Sequence, residues 1–170
     1  MLTGDQVDLH HLFAFIKIGK NKGLTVIVSS YDSTDHYAEY LEKGADYVLL
    51  GEGEMTLLDL VRNYQKEGFS PSSVEGLAYA GDGKAMKNKL RPVMEDLNAL
   101  PFPAWDLVDI YHYSGHLKGE SSLSLVTSRG CAHRCLDCNN VVLGKGVQTR
   151  FRTPDNIVRE IDYLKKQGFS

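Results

Sequence analysis

Cysteine is scarce in this chain of 170 residues: there are three, at positions 131, 135 and 138, and none elsewhere. An odd number grouped so closely excludes a framework that pairs every thiol in disulfides. With no secretory leader ahead of them, the expected setting is a reducing cytoplasm. Long basic runs are also missing and the net charge is -3, so the electrostatic footprint of a nucleic-acid binder is absent and no such partner is expected. No apolar stretch approaches the roughly 20 residues that cross a bilayer, which excludes a spanning helix and leaves no membrane partner expected. Internal repeats and low-complexity tracts are absent too. What remains is globular material, 42% hydrophobic and 24% charged, enough for one ordinary domain or two small lobes.

The three cysteines stand in Thr127-Ser-Arg-Gly-Cys131-Ala-His-Arg-Cys135-Leu-Asp-Cys138, a CxxxCxxC spacing. Three thiolates on so short a loop can take three corners of one iron-sulfur cube. With no fourth thiol in the chain, one iron stays open to a small ligand and to electron transfer. The alternative is a structural zinc held by the three cysteines and His133, although His133 lies between two of the proposed ligands, where the loop leaves it little room to turn inward. Arg129 and Arg134 can soften the negative charge of a cluster or serve as solvated loop cations.

Along the chain, Val7, Leu9, Leu12, Phe13 and Ile16 recur at mostly helical spacing and predict an amphipathic helix over 6–18, with Gly19 and Gly23 as stop signals. His10 and His11 fall within it, and no function is assigned to them. The β-branched run 24–28 predicts a strand buried on both faces, followed by Ser29-Ser-Tyr-Asp32 at its carboxyl end. A helix over 34–43, a second buried strand over 45–50, the turn Gly51-Glu-Gly-Glu54 and a helix over 56–64 come next. Strand, helix, strand and helix with short connections describe a parallel α/β sheet, whose ligands bind at the carboxyl ends of the strands. Residues 29–32 and 51–54 are expected to share that edge. Glu52 and Glu54 would repel a phosphate from the turn, so it reads either as a glycine-permitted turn with glutamates complementing the helix dipole or as part of a ligand edge.

Segments 74–80 and 84–90 flank Gly81-Asp-Gly83 and predict a hairpin capping the first lobe. Prolines 92, 101 and 103 disfavour a regular helix over 90–113, with Trp105, Tyr111 and Tyr113 as packing anchors. His112 and His116 carry no assignment. Thr153 and Pro154 make an N-cap and first helical residue, Ile157, Ile161 and Leu164 share a face, and Gly168 stands where that helix would stop.

Ser128-Arg-Gly-Cys131-x-x-x-Cys135-x-x-Cys138, preceded by the strand-like run 123–126, resembles the opening of a radical S-adenosylmethionine domain. The resemblance implies a 4Fe-4S cluster held by Cys131, Cys135 and Cys138, with S-adenosylmethionine chelating the fourth iron. Electron transfer then cleaves the sulfonium to methionine and a 5'-deoxyadenosyl radical, which takes hydrogen from a substrate. It also implies an electron donor such as a flavodoxin or ferredoxin. The family often has an aromatic just before the third cysteine. Asp137 stands there and cannot stack on adenine.

A longer resemblance joins the first. Gly44-Ala-Asp-Tyr-Val-Leu-Leu-Gly-Glu-Gly-Glu-Met-Thr-Leu57, then Glu75-Gly-Leu-Ala-Tyr79, Leu100-Pro-Phe-Pro-Ala-Trp-Asp106 and, after the cysteines, Arg150-Phe-Arg-Thr-Pro-Asp-Asn-Ile-Val-Arg-Glu-Ile161 are similar in identity and order to the radical SAM subfamily that carries a cobalamin-binding domain. The expected architecture is α/β: a partial cobalamin-type parallel-sheet lobe over 1–90, an inter-lobe linker over 91–122, and the first β-loop-α unit of a radical SAM β/α barrel over 123–170. No Asp-x-His-x-x-Gly sequence for cobalt ligation is present, the earliest strands of the cobalamin domain have no counterpart, and Ser29-Ser30 stand where a glycine pair is common. Weak cobalamin binding is therefore expected. A barrel active site draws on several strands, so this chain by itself is expected to be an inactive fragment. The other reading is a non-enzymatic cobalamin-like or zinc-binding module. Substrate and oligomeric state have no signal in the sequence.

Overall fold

A computed structural model describes residues 9–107, 123–133 and 148–168. They fall into two compact units, one of residues 9–93 with His133, the other of 94–107, 123–132 and 148–168. Cys135, Cys138, Arg134, Asp137, Tyr111, Tyr113, His112 and His116 lie outside the described residues. No helix among the described residues is long and apolar enough to cross a membrane.

The first unit is built on a four-stranded mixed sheet of order β1-β2-β3-β4: β1 Ile27–Ser29, β2 Tyr47–Leu49, β3 Leu77–Gly81 and β4 Lys84–Lys87. β1 and β2 are parallel, with Ile27 opposite Tyr47, whereas β2–β3 and β3–β4 are antiparallel, so the parallel-sheet lobe expected over 1–90 is corrected to a mixed sheet. The expected hairpin is there, but it extends the sheet beside β2 and does not merely cap the lobe. Asp82 and Gly83, at φ of 50° and 72°, supply the two left-handed residues that a tight hairpin turn needs.

Helices cover both faces. α1 Leu9–Asn21, α2 Tyr31–Asp35 and α3 Tyr37–Glu42 bring Ile16, Tyr40 and Leu41 onto Val48, Leu50 and Ala78. On the other face α4 Glu54–Tyr64 packs Leu60 against Leu49, Val74 and Leu77. α1 runs through Gly19, an expected stop; a Cβ there would meet Val26 Cγ2 at 2.8 Å, so the position needs glycine for close packing. The bare backbone lets the helix lie close to the start of β1.

Two further expectations for this unit are corrected. β1 is not buried on both faces: Val26 and Val28 turn to the core, but Ile27 is 37% exposed. Among the described residues β1 is an edge strand, and Ile27 lines an open cleft with Leu60, Val61 and Tyr64 of α4, which leaves that face incompletely covered. The single helix expected over 34–43 is two short ones. Ser30 starts α2 early through a reciprocal capping box, its Oγ accepting from Ser33 N and Ser33 Oγ accepting from Ser30 N, both at 2.9 Å. His36, at φ -101° and ψ 24°, then interrupts the helix before α3.

The second unit pairs β5 Ser128–Arg129 antiparallel with β6 Arg150–Phe151, and β6 leads into α5 Pro154–Lys166. Thr153 caps α5 with Pro154 at its first turn, as expected. The strand expected over 123–126 is absent, and the ladder falls just after it. The buried face of α5 is only partly the expected one: Leu164 is buried and Ile157 half-buried, but Ile161 is exposed, and Asn156 and Glu160 are buried. Arg152 recruits the two polar residues inward, and the apolar stripe is displaced. Short 3-10 turns at Leu97–Ala99 and Trp105–Leu107 fit the absence of a regular helix expected over 90–113, of which 108–113 lie outside the described residues.

Candidate functional site

The cysteine loop leaves β5 through Gly130, at φ 89°, and Cys131 follows, half-buried. Arg129 is half-buried and His133 exposed. Among the described residues no three His, Cys, Asp or Glu side chains converge on a metal-sized point. The sequence offers three soft thiols without a fourth, the donor count of a three-ligand cluster; a four-coordinate zinc would need His133 as well.

The stem beneath the loop is held by Arg152, which sequence reasoning missed. Its backbone N–H donates to the Thr127 carbonyl at 2.9 Å. Its guanidinium donates from Nη1 to the Val126 carbonyl at 3.0 Å, from Nε to Asn156 Oδ1 at 2.7 Å and from Nη2 to the Asn156 carbonyl at 3.3 Å. Nη1 also donates to Glu160 Oε2, whose carboxylate is almost wholly buried. The Phe102 ring lies 5.6 Å from the guanidinium carbon, within cation–π range. Nearby, Asn98 Oδ1 accepts from Thr153 N and Oγ1, and Arg150 donates to the Met94 carbonyl, so 94–98 is fastened to the same stem.

In the first unit, the carboxyl ends of β1 and β2 bring residues 29–32 and 51–54 together as expected. Gly51 N–H donates to Thr34 Oγ1 at 3.1 Å. Gly53 lies so near the first loop that a Cβ would stand 3.0 Å from Ser29 Oγ and 3.1 Å from Leu49 Cδ1. Glu54 opens α4, where its charge complements the helix dipole.

Asp32, His36 and Tyr40 form a network at that edge that no motif announced. Tyr40 donates its phenol to Asp32 Oδ2 at 2.7 Å, while His36 Nδ1 lies 3.0 Å from Asp32 Oδ1 and 3.2 Å from the Asp32 carbonyl. Both oxygens facing Nδ1 are acceptors, so Nδ1 carries a proton. Burial, and then the Asp32 carboxylate, push the Tyr40 phenol far above its ordinary range. The signal available in sequence was the spacing i, i+4, i+8 of three polar residues after a strand. A separate cleft of about 170 Å³, walled by Ile27, Tyr47, Leu60, Val61 and Tyr64, is almost wholly apolar.

No family model matches the chain. Over 169 residues it is 29% identical to an uncharacterized methyltransferase of Synechocystis sp., a match that covers 99% of this chain and 27% of that protein. An uncharacterized methyltransferase of Pyrococcus horikoshii is 30% identical over 119 residues, 70% of this chain and 25% of its own length. The chain thus spans about a quarter of the length of these relatives. Its fold is similar to that of the radical S-adenosylmethionine methyltransferase TsrM of Kitasatospora setae. The match to TsrM with tryptophan and a SAM analog bound has a TM-score of 0.70 at 22% identity, over 95% of this chain and 31% of TsrM. The match to TsrM with cobalamin and a 4Fe-4S cluster bound has a TM-score of 0.65 at 19% identity, over 95% of this chain and 32% of that one. The chain is a relative of methyltransferases, and it shares a mixed α/β fold with a radical S-adenosylmethionine methyltransferase along nearly its whole length.

Proposed function

We propose that this chain carries the cluster-binding part of a radical S-adenosylmethionine methyltransferase, with Cys131, Cys135 and Cys138 as the three protein ligands of a 4Fe-4S cluster. The observation that carries the reading is the CxxxCxxC spacing with no fourth thiol anywhere in the chain, on a loop that leaves a two-residue ladder. When bound, the cluster supplies the electron for reductive cleavage of S-adenosylmethionine at its open iron. The protein's part is to hold three thiolates deprotonated and in register, and to keep the stem rigid while the small ligand exchanges. A low-potential donor such as a flavodoxin or ferredoxin supplies the electron in a reducing, cytoplasmic setting, and a methyl-accepting substrate completes the reaction.

The carboxyl edge of β1 and β2 is the corrinoid-facing side of the first unit in this reading. The lack of an Asp-x-His-x-x-Gly sequence makes it a weak cobalamin site in this chain.

Anaerobic reconstitution with iron and sulfide tests the proposal. The expected product is brown, holds about four irons and four sulfides per chain, and gives a paramagnetic signal on reduction. A colourless protein with one zinc per chain overturns it in favour of the zinc-binding module.

A further inference from the structure

We infer that Arg152 is the positioning residue of the cysteine loop: its guanidinium, fixed on α5, sets where the incoming strand ends and so where Cys131 is presented. Its purpose there rests on the cluster-binding reading above, but the geometry stands apart from it. A two-residue ladder such as β5–β6 is far too short to hold a loop in register by itself. Residue 152, one past the ladder, adds what the strand lacks. Consecutive carbonyls of the stem end on it, Thr127 at the backbone N–H and Val126 at Nη1.

The other side of the guanidinium is anchored as firmly. Asn156 accepts from Nε through its side chain and from Nη2 through its carbonyl, and Glu160 accepts from Nη1. Asn156 and Glu160 are buried one turn apart on α5, so the planar fork has a single orientation. Helix, guanidinium and stem carbonyls make one rigid connection, and Cys131 is the first cysteine beyond it. A point charge cannot replace the fork. Lysine at 152 would still neutralise Glu160, but one ammonium on a flexible stem cannot satisfy Val126, Asn156 and Glu160 in their three fixed directions.

Arg152→Lys therefore separates positioning from charge balance. The measurement is the alkylation rate of Cys131 by N-ethylmaleimide in the full, metal-free, reduced chain, resolved by peptide mass spectrometry, with thermal melting and iron content measured on the same preparations. The expected result is a Cys131 rate about tenfold above wild type as the stem loosens, together with reduced iron retention. A wild-type alkylation rate in Arg152→Lys overturns the role, because charge alone would then suffice. If Arg152→Lys fails to fold, Asn156→Ala is measured instead. It removes one anchor and keeps the ion pair, and about a threefold rise is expected; an unchanged rate overturns the role. A wild-type chain that takes up no cluster, alongside a raised Cys131 rate in the variant, defeats the cluster reading and leaves the positioning role standing.

Discussion

Tyr40, wholly buried against the sheet, donates its phenol to Asp32 Oδ2 at 2.7 Å and so ties the core of the first unit to its carboxyl edge. Deleting the hydroxyl leaves Asp32, among the described side chains, with His36 and removes one tie between core and edge. Tyr40→Phe is expected to cost about 2 kcal/mol, the value of a hydrogen bond to a charged group. Urea unfolding followed by circular dichroism measures it, and a loss under about 0.5 kcal/mol would show that Asp32 finds an equivalent partner in water.

Alkaline pH should expose the same bond. The Tyr40 phenol is raised by burial and by Asp32, and that of Tyr47 by burial and then by Tyr64 and Asp46. Below about pH 10 folded and unfolded chains both keep these protons. Above it the unfolded phenols ionise while the folded ones do not, so the unfolded state binds fewer protons and stability falls as pH rises. Urea midpoints between pH 8 and 11 should decline in the wild type and decline less in Tyr40→Phe. Parallel curves for the two proteins would remove Tyr40 from the account.

The Arg152–Glu160 pair should behave as a buried ion pair does. Glu160→Ala strands a guanidinium that is only 11% exposed and is expected to cost about 3–5 kcal/mol. Arg152→Met with Glu160→Leu removes both charges and should recover most of that stability. Cys131 should remain as reactive in the double variant as in Arg152→Lys. A double variant no more stable than Glu160→Ala would mean that the hydrogen bonds, not the charges, dominate.

Cys131→Ala, Cys135→Ala and Cys138→Ala should each abolish the reconstituted 4Fe-4S absorption and its signal on reduction, because no spare thiol exists to take over a corner. Air should bleach the wild-type cluster, whose open iron lacks a protein ligand. Wild-type spectra in all three variants would place the iron elsewhere.

Hydroxocobalamin should not stay with this chain through gel filtration. Stoichiometric retention would reverse that expectation, and Ser29, Asp32 and His36 would be the first positions to substitute.

Much of this fold could be read from local chemistry. Asp82-Gly83 announced its hairpin, Thr153-Pro154 its helix start, and 45–50 its buried strand, because in each case a few adjacent residues decide the outcome. The failures share a different cause. Whether Ile27 is covered depends on the sheet's neighbours and not on its own β-branched run. The inward face of α5 is chosen by Arg152, a side chain outside the helix, so counting apolar periodicity selected Ile161 when Glu160 was the buried residue. The early start of α2 came from a capping box with serine in place of the usual glutamate or glutamine, and the split at His36 from a backbone outside the helical region. At the site, the cysteine spacing was legible because it is contiguous. Arg152 was not, since its partner Val126 lies 26 residues away.

That separation orders events during synthesis. Cys131 leaves the ribosome well before Arg152, and Arg152 before Glu160, so the stem carbonyls at 126 and 127 have no clamp until α5 has emerged. Iron delivered to the nascent chain meets loose thiols, and iron delivered after residue 160 meets a formed stem. On the cluster-binding reading proposed above, the loop gains its formed stem only from a helix that supplies none of the proposed ligands.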